Sequence, residues 1–124
     1  MISITKIFKF DAAHYLPNYD GCCKNLHGHS FRLEIEIIGS IQKEGSKQGM
    51  IYDFSDLKNL VNEHIIDKMD HKLLNDIFPN PTAENMLEYI TTYLMGVLDN
   101  NLILTRVRLW ETDTSYAEWK NKNI

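Results

Sequence analysis

The sequence predicts an α+β fold in which two helices cover one face of a four-stranded antiparallel sheet. Two observations lead to this prediction. Segments in which polar and apolar residues alternate stand near both ends of the chain, and two segments with helical periodicity lie between them. The predicted order is therefore strand, strand, helix, helix, strand, strand, which is typical of a layer of helices on one side of a sheet. No internal repeat or linker interrupts the 124 residues, so we expect one domain, residues 1–124.

The first two predicted strands show the alternation most clearly. In the segment SITKIFKFDAAH, residues 3–14, Phe8 and Phe10 fall on one face. In the segment FRLEIEIIG, residues 31–39, apolar residues alternate with charged ones. Because successive side chains of a strand point to opposite faces, one face of this strand is apolar and the other is charged. The polar, glycine-containing segment that follows, residues 39–49, predicts a loop or a hairpin tip.

The middle of the chain predicts two amphipathic helices. In residues 53–69, Asp53 or Ser55 can cap the start, and the apolar residues at helical spacing are Leu57, Leu60, Val61 and Ile65. In residues 80–100, Thr82 suits the N-cap and the first turn is acidic. The apolar side of this second helix is formed by Met86, Leu87, Ile90, Leu94, Val97 and Leu98. Each helix thus has one face that can pack on a sheet.

Two strand-like segments, residues 102–113 and 115–120, end the chain and are joined near a TDTS turn. The face of the sheet that the helices leave uncovered would carry Arg32, Glu34, Glu36, Arg106, Arg108 and Trp110. A sheet with open edges is prone to association with other chains. The pattern leaves open whether this face meets solvent or another subunit.

Composition and charge exclude several functional classes. The formal net charge is −4, so no basic field recruits nucleic acid or an anionic membrane. No apolar segment approaches the roughly 18 residues that a membrane span needs, and the first ten residues lack the apolar core of a secretion signal. Cys22 and Cys23 are adjacent and make a poor disulfide framework. We therefore expect a cytoplasmic protein with reduced thiols.

Three of the five histidines predict a metal centre. His27 and His29 flank Gly28, so in an extended chain both imidazoles point to the same side, and His14 supplies a third ligand from the end of the first strand. Three neutral imidazoles with an open fourth position are typical of a catalytic zinc site. A His-x-His pair also arises by chance. A closed structural site built from the two cysteines, His27 and His29 is a rival, but adjacent cysteines depart from the usual C-x2-4-C spacing.

Further side chains are candidates for catalysis. Cys23 precedes His27 by four residues, and a thiol near a cation is biased toward the reactive thiolate, although buried cysteines are commonly inert. Asp70 beside His71 can orient an imidazole for proton transfer, but such pairs also occur at helix ends for capping reasons. Glu111 can accept two hydrogen bonds from an amidine-like edge of a pterin or guanine. The alternative for Glu111 is an ordinary exposed glutamate.

Six motifs occur in an order that resembles one known family. They are FDAAH, CKNLHGHS, YDFSDLK, MDHKLLND, NPTAEN and WETD, and the likeness extends from Phe10 to about Trp119. Each motif alone is weak, but the ordered set is similar to the 6-pyruvoyltetrahydropterin synthase family. The C-x-x-x-H-G-H spacing from Cys23 resembles the bacterial 6-carboxy-5,6,7,8-tetrahydropterin synthase branch, since animal-type relatives have a longer gap. Ala83 stands where animal-type relatives carry a second threonine.

The resemblance implies a fold and a metal. The fold would be the tunnelling fold, or T-fold, in which trimers form a β-barrel with the helices outside. Two trimers would stack into a homohexamer with active sites at subunit boundaries. Zn²⁺ would be the cofactor, held by His14, His27 and His29.

The resemblance also implies a reaction. A carbon–carbon lyase of the route to queuosine would convert 7,8-dihydroneopterin triphosphate and water to 6-carboxy-5,6,7,8-tetrahydropterin, acetaldehyde and triphosphate. Cys23 would accept a proton, and Asp70 and His71 would form a proton relay. Glu111 would anchor the pterin ring, with Thr82 as a further candidate contact. Two alternatives remain: elimination of triphosphate to give 6-pyruvoyltetrahydropterin, and a non-catalytic zinc-binding assembly module.

Overall fold

The computed structural model describes residues 1–21 and 24–124, and within them the sheet has the four predicted strands. They are β1 (Ser3–His14), β2 (His27–Ile38), β3 (Ile103–Thr112) and β4 (Ser115–Lys120). The spatial order is β1-β2-β3-β4, and each neighbouring pair is antiparallel. The predicted α+β class, the antiparallel sheet and the order ββααββ are confirmed.

Two helical regions lie between β2 and β3, as predicted. The first runs from α1 (Phe54–Val61) through a π-helical turn (Asn62–Ile66) into α2 (Asp67–Met69). A 3-10 turn (Leu74–Asp76) follows, and the second region is α3 (Ala83–Val97). The described part of the chain contains no helix whose length and apolar character would suffice to cross a bilayer.

Each helical region begins at a residue that the sequence indicates. The carboxylate of Asp53 accepts a hydrogen bond from the backbone N–H of Ser55 at 2.7 Å, and the hydroxyl of Thr82 accepts one from the backbone N–H of Asn85 at 3.1 Å. Such caps satisfy donors that the first helical turn leaves without a partner, so they fix where the helix starts. The start of α3 matters for the site, because Pro81 immediately before it contacts a histidine.

The core lies between the helices and one face of the sheet. Phe8 and Phe10 of β1 are buried, as the alternation predicts. The fully buried residues of β2 include Leu33, Ile35 and Ile37, and those of α3 include Met86, Ile90 and Leu94. Burying one such side chain contributes roughly 1.5–3 kcal/mol. These residues share one core cluster with Val107 and Leu109 of β3, and α3 lies against β3 and β4.

The charged face of the sheet is paired across strands. Arg106 lies opposite Glu36, and their side chains form an ion pair at 3.1 Å. The indole N–H of Trp110 donates to the carboxylate of Glu34, and the guanidinium of Arg32 lies 4.2 Å from the Trp110 ring centroid. The residues predicted for the uncovered face therefore do share it, and their cross-strand pairs add to the stability of the sheet.

The segment that follows α2 covers part of the outer edge of β1. The backbone N–H of His71 donates to the carbonyl of Asp11 at 2.6 Å, and that of Ala13 donates to the carbonyl of Lys72 at 3.1 Å. Residues 70–73 have no strand pattern, so the alternation did not predict this contact. It holds the predicted relay pair beside the end of β1.

Candidate metal centre and surrounding residues

Three imidazoles converge at one end of the sheet, on the face that the helices cover. His14 ends β1 and lies opposite His27 at the start of β2, while His29 lies opposite Ala12. The ring centroids are 4.7 to 5.1 Å apart, and the ligating atoms all lie within 4.8 Å of one another. Because side chains alternate along β2, two of these rings lie on the same face of the strand as buried Phe31. The structure therefore brings the predicted set His14, His27 and His29 together.

Backbone carbonyls fix the orientation of two of the rings. Nδ1 of His14 donates to the carbonyl of Pro81 at 2.8 Å, and Nδ1 of His27 donates to the carbonyl of Asn25 at 2.7 Å. A carbonyl only accepts, so each neutral ring carries its proton on Nδ1 and presents the lone pair of Nε2. The two Nε2 atoms face each other at 3.1 Å. This is close to the spacing of about 3.3 Å for two nitrogens bound tetrahedrally to one zinc ion at roughly 2.0–2.1 Å.

The third ring, His29, has a buried nitrogen without a hydrogen-bond partner among the described residues. This atom is Nε2, and Oε1 of Glu111 lies 3.6 Å from it, beyond hydrogen-bond distance. Burial lowers the pKa of His29; the Glu111 charge opposes this shift, and the other two histidines reinforce it. His29 is thus biased to the neutral form that binds metals. An orphaned buried nitrogen beside two inward lone pairs fits a divalent cation.

Glu111 stands beside this cluster at the end of β3. The pairing of β3 with β4 shifts register between Trp110 and Thr112, so Glu111 lies at a bulge. It also lines an open cleft of about 470 Å³, together with Ala83 at the start of α3 and Tyr116 of β4. The structure therefore places the Glu111 carboxylate between the histidine cluster and a cleft that solvent reaches.

The Asp70–His71 pair lies at the edge of β1. Oδ1 of Asp70 accepts hydrogen bonds from the backbone N–H of Asp11 and from Nδ1 of His71, both at 3.0 Å. The hydrogen bond from Asp11, aided by that from His71, lowers the pKa of Asp70 against the effect of burial. His71 has a left-handed backbone with φ of 59°, and its side chain is 79% exposed. An ionised Asp70 thus orients an accessible imidazole.

A second open depression, of about 610 Å³, lies between this pair and the strands. His71 and Lys72 line one side of it, and its other walls include Asp11, Ser30 and His29. The hydroxyl of Ser30 donates to the carboxylate of Asp11 at 2.6 Å. His29 therefore belongs both to the histidine cluster and to the wall of the depression that His71 lines.

Thr82 and Cys23 are the remaining predicted site residues. Thr82 is the N-cap of α3, and its contact with a pterin stays a prediction. Cys23, the predicted catalytic thiol, lies outside the described residues, as does Cys22. The sequence did not point to Pro81 and Asn25, which orient His14 and His27 through backbone carbonyls. A backbone carbonyl leaves no signal in a pattern of residue types.

Comparison with known proteins decides the family. A model of the family described as 6-pyruvoyl tetrahydropterin synthase matches residues 3–122. The chain belongs to the 6-pyruvoyl tetrahydropterin synthase family. The resemblance that the ordered motifs predicted is confirmed, and with it the expectation of an enzyme of this family.

Relatives in this family carry more than one activity in their names. The chain is 39% identical to a Haemophilus influenzae protein named 6-carboxy-5,6,7,8-tetrahydropterin synthase, over 97% of this chain and 99% of that protein. Further bacterial relatives have the same name. It is also 37% identical to a Pyrococcus furiosus protein named dihydroneopterin monophosphate aldolase, over 82% of each. The predicted likeness to the 6-carboxy branch is confirmed.

A solved structure confirms the fold. The structure of 6-pyruvoyl tetrahydropterin synthase from Caenorhabditis elegans matches this one with a TM-score of 0.82 at 25% identity. The match covers 98% of this chain and 96% of the other. The predicted T-fold is therefore the fold of this protein.

Proposed function

We propose that this protein is a zinc-dependent 6-carboxy-5,6,7,8-tetrahydropterin synthase of 7-deazapurine (queuosine) biosynthesis. It converts 7,8-dihydroneopterin triphosphate and water to 6-carboxy-5,6,7,8-tetrahydropterin, acetaldehyde and triphosphate. The observation that carries the proposal is the convergence of three histidine nitrogens within 4.8 Å of one another, beside Glu111. The name of the H. influenzae relative supports this choice of product.

Zn²⁺ suits these ligands best. His14, His27 and His29 are the whole set of clustered ligands among the described residues, and three imidazoles without a thiolate are typical of a catalytic zinc site. Bound there, zinc supplies Lewis acidity, which makes substrate hydroxyl groups easier to deprotonate. His14 is only 1% exposed, so its ring is held by packing as well as by its hydrogen bond to Pro81.

The protein residues supply binding and proton transfer. Glu111 accepts hydrogen bonds from the N–H and NH₂ groups of the pterin ring and holds the ring so that the side chain of the substrate reaches the histidine cluster. His71, oriented by the Asp70 carboxylate, transfers protons at the side-chain carbons. Cys23 is the second proton-transfer group, by family resemblance. General acid–base groups of this kind typically contribute about 10²–10⁴-fold each.

We further propose a cytoplasmic homohexamer of two stacked trimers with active sites at subunit boundaries. Among the described residues, β4 has no strand on its outer side and β1 pairs there only with residues 70–73. Both outer strands therefore offer backbone groups to another copy of the chain. The 79% exposed side chain of His71 is available to the site of a neighbouring subunit. No nucleic acid or membrane partner is proposed, because the net charge is −4.

A 6-pyruvoyltetrahydropterin synthase is the second candidate, and the structural likeness to the C. elegans enzyme favours it. Both reactions would use the same metal ligands and the same ring anchor, so the products must distinguish them. A non-catalytic zinc-binding module is the weakest candidate. It gives no reason for a carboxylate 3.6 Å from His29 or for an exposed imidazole oriented by Asp70.

The decisive experiment incubates the metal-loaded protein with 7,8-dihydroneopterin triphosphate and identifies both the pterin and the small carbonyl product. We expect acetaldehyde together with 6-carboxy-5,6,7,8-tetrahydropterin. A pyruvoyl pterin without acetaldehyde would support the second candidate, and a glycolaldehyde-type product would indicate aldol cleavage of the same side chain.

A matched pair of variants tests the ring anchor in that assay. Glu111→Gln should raise KM for the pterin and leave zinc content unchanged, because the amide accepts fewer hydrogen bonds than the carboxylate. Glu84→Gln, which changes an exposed glutamate of the same cleft, should have little effect on KM.

A further inference from the structure

We infer that Asn85, in the first turn of α3, is a positioning residue that sets the affinity of the histidine cluster for its metal. This inference rests on the proposed function, since it takes the three histidines as metal ligands. Asn85 acts through Pro81, whose carbonyl accepts the hydrogen bond from Nδ1 of His14 at 2.8 Å.

Two hydrogen bonds tie the turn from Asn80 to Thr82 to Asn85 of α3, and a third closes the turn itself. The side-chain NH₂ of Asn85 donates to the carbonyl of Asn80 at 2.9 Å, and the backbone N–H of Asn85 donates to the hydroxyl of Thr82 at 3.1 Å. The backbone N–H of Thr82 also donates to the carbonyl of Asn80 at 2.9 Å. These bonds fix the peptides on both sides of the buried Pro81, so they determine where its carbonyl points.

The direction of that carbonyl decides which nitrogen of His14 carries the proton. His14 is 1% exposed, so water does not readily replace Pro81 as its partner. With the carbonyl in place, the proton stays on Nδ1 and the lone pair of Nε2 faces His27. When the turn is released, the ring of His14 is free to change its tautomer or its orientation, and the ligand set is no longer preorganised.

The size of the effect follows from the place of Asn85 in this chain of contacts. Partners that orient a ligating histidine typically change metal affinity about 10–100-fold. Asn85 lies one hydrogen bond further out than the Pro81 carbonyl, so we expect the lower end of that range, about tenfold.

The test compares Asn85→Asp with the wild-type protein. The substitution keeps the size of the side chain, but a carboxylate cannot donate to the carbonyl of Asn80. A negative charge in the first turn favours the helix and offsets part of the stability lost with that hydrogen bond. We expect the Zn²⁺ affinity, measured by competition with a chromophoric chelator, to fall about tenfold. The urea midpoint of the metal-free protein should stay close to that of the wild type.

A second measurement does not involve metal. Nitrogen-15 NMR of the metal-free protein reports which ring nitrogen of each histidine is protonated. The wild type should show His14 with its proton on Nδ1, and Asn85→Asp should show a mixture of tautomers. Asn85→Gln, which keeps an amide donor on a longer side chain, should recover part of the zinc affinity.

Two control variants distinguish a change in zinc affinity from a change in the stability of the fold. Thr92→Gly lowers helix propensity at an exposed position of α3 away from the turn, and it should lower the urea midpoint without changing zinc affinity. His27→Ala removes a ligand and should weaken zinc binding more than Asn85→Asp does. Zinc affinity and a His14 tautomer that are both unchanged in Asn85→Asp would overturn the inference. Wild-type affinity in His27→Ala would overturn the metal centre itself, and the inference with it.

Discussion

Nε2 of His14 lies 3.1 Å from Nε2 of His27, although both rings donate from Nδ1 to backbone carbonyls. In neutral rings two lone pairs therefore face each other at one end of an apolar core. This contact is unfavourable in the metal-free protein and becomes favourable when a cation accepts both lone pairs. Metal binding at the histidine cluster would therefore stabilise the folded state.

Zinc should raise the melting temperature of the wild-type protein. A ligand present at 100 times its dissociation constant stabilises the folded state by about 2.7 kcal/mol. For a chain of this length that free energy corresponds to an increase in Tm of roughly 10 °C. Thermal unfolding with Zn²⁺ and with a chelator measures the shift. His27→Ala should lose it, and His64→Ala, which removes a histidine outside the cluster, should keep it. Equal shifts in the two variants would contradict the assignment of His27 as a ligand.

Cys23→Ala should cripple turnover and leave the protein folded. By family resemblance, the C-x-x-x-H-G-H spacing points to Cys23 as the proton-transfer group, and loss of such a group typically lowers turnover about 10²–10⁴-fold. Cys22→Ala is the matched control and should turn over substrate normally. Circular dichroism checks folding, and kcat/KM measures activity. If Cys22→Ala is the inactive variant, the register assigned to the two thiols is wrong.

His71→Asn should lower turnover without unfolding the protein. Asparagine tolerates the left-handed backbone that His71 adopts at φ 59°, so the turn is retained. It has no titratable nitrogen, so turnover should fall by about 10²–10⁴-fold. The free energy of unfolding should change by less than about 0.5 kcal/mol.

His71→Val provides the contrast, since a β-branched residue at positive φ should destabilise the fold by about 1–2 kcal/mol. Urea unfolding and kcat measured on both variants give the comparison. Near-wild-type turnover by His71→Asn would remove His71 from the mechanism.

The period of two in β2 predicted part of the site as well as the strand. The alternation that buries Phe31 also carries His27 and His29 to the helix-covered face, so these candidate metal ligands could be predicted from their spacing. The place of Glu111 could not be predicted in this way. Its contact with His29 depends on β3 lying next to β2, and a residue pattern does not specify the order of strands in a sheet. The role of Glu111 came from family resemblance.

Contacts made by backbone groups could not be predicted from the sequence either. The carbonyls of Asn25 and Pro81 orient two of the clustered histidines, and the pairing of residues 70–73 with β1 positions the predicted relay pair. Backbone groups are the same in every residue, so only the three-dimensional path of the chain determines which ones meet. The helical period likewise predicted one regular helix over residues 53–69, where the structure has a π-helical turn in the middle.

The start of α1 should contribute to stability in a pH-dependent way. The carboxylate of Asp53 pairs with Lys47 and accepts from the N–H of Ser55, and these hydrogen bonds, that from Lys47 first, lower the pKa of Asp53 below its ordinary value of 3.8. A carboxyl group whose pKa is lower in the folded state stabilises the fold above its unfolded pKa. That contribution is lost as the pH falls below 3.8 and through the folded value.

Asp53→Asn keeps a good N-cap but has no charge, so it lacks this dependence. Urea midpoints of both proteins should differ most near neutral pH and converge in strong acid, while the other acidic groups titrate in both proteins and cancel in the comparison. A difference that stays constant over the whole range would show that the ion pair with Lys47 does not contribute to stability.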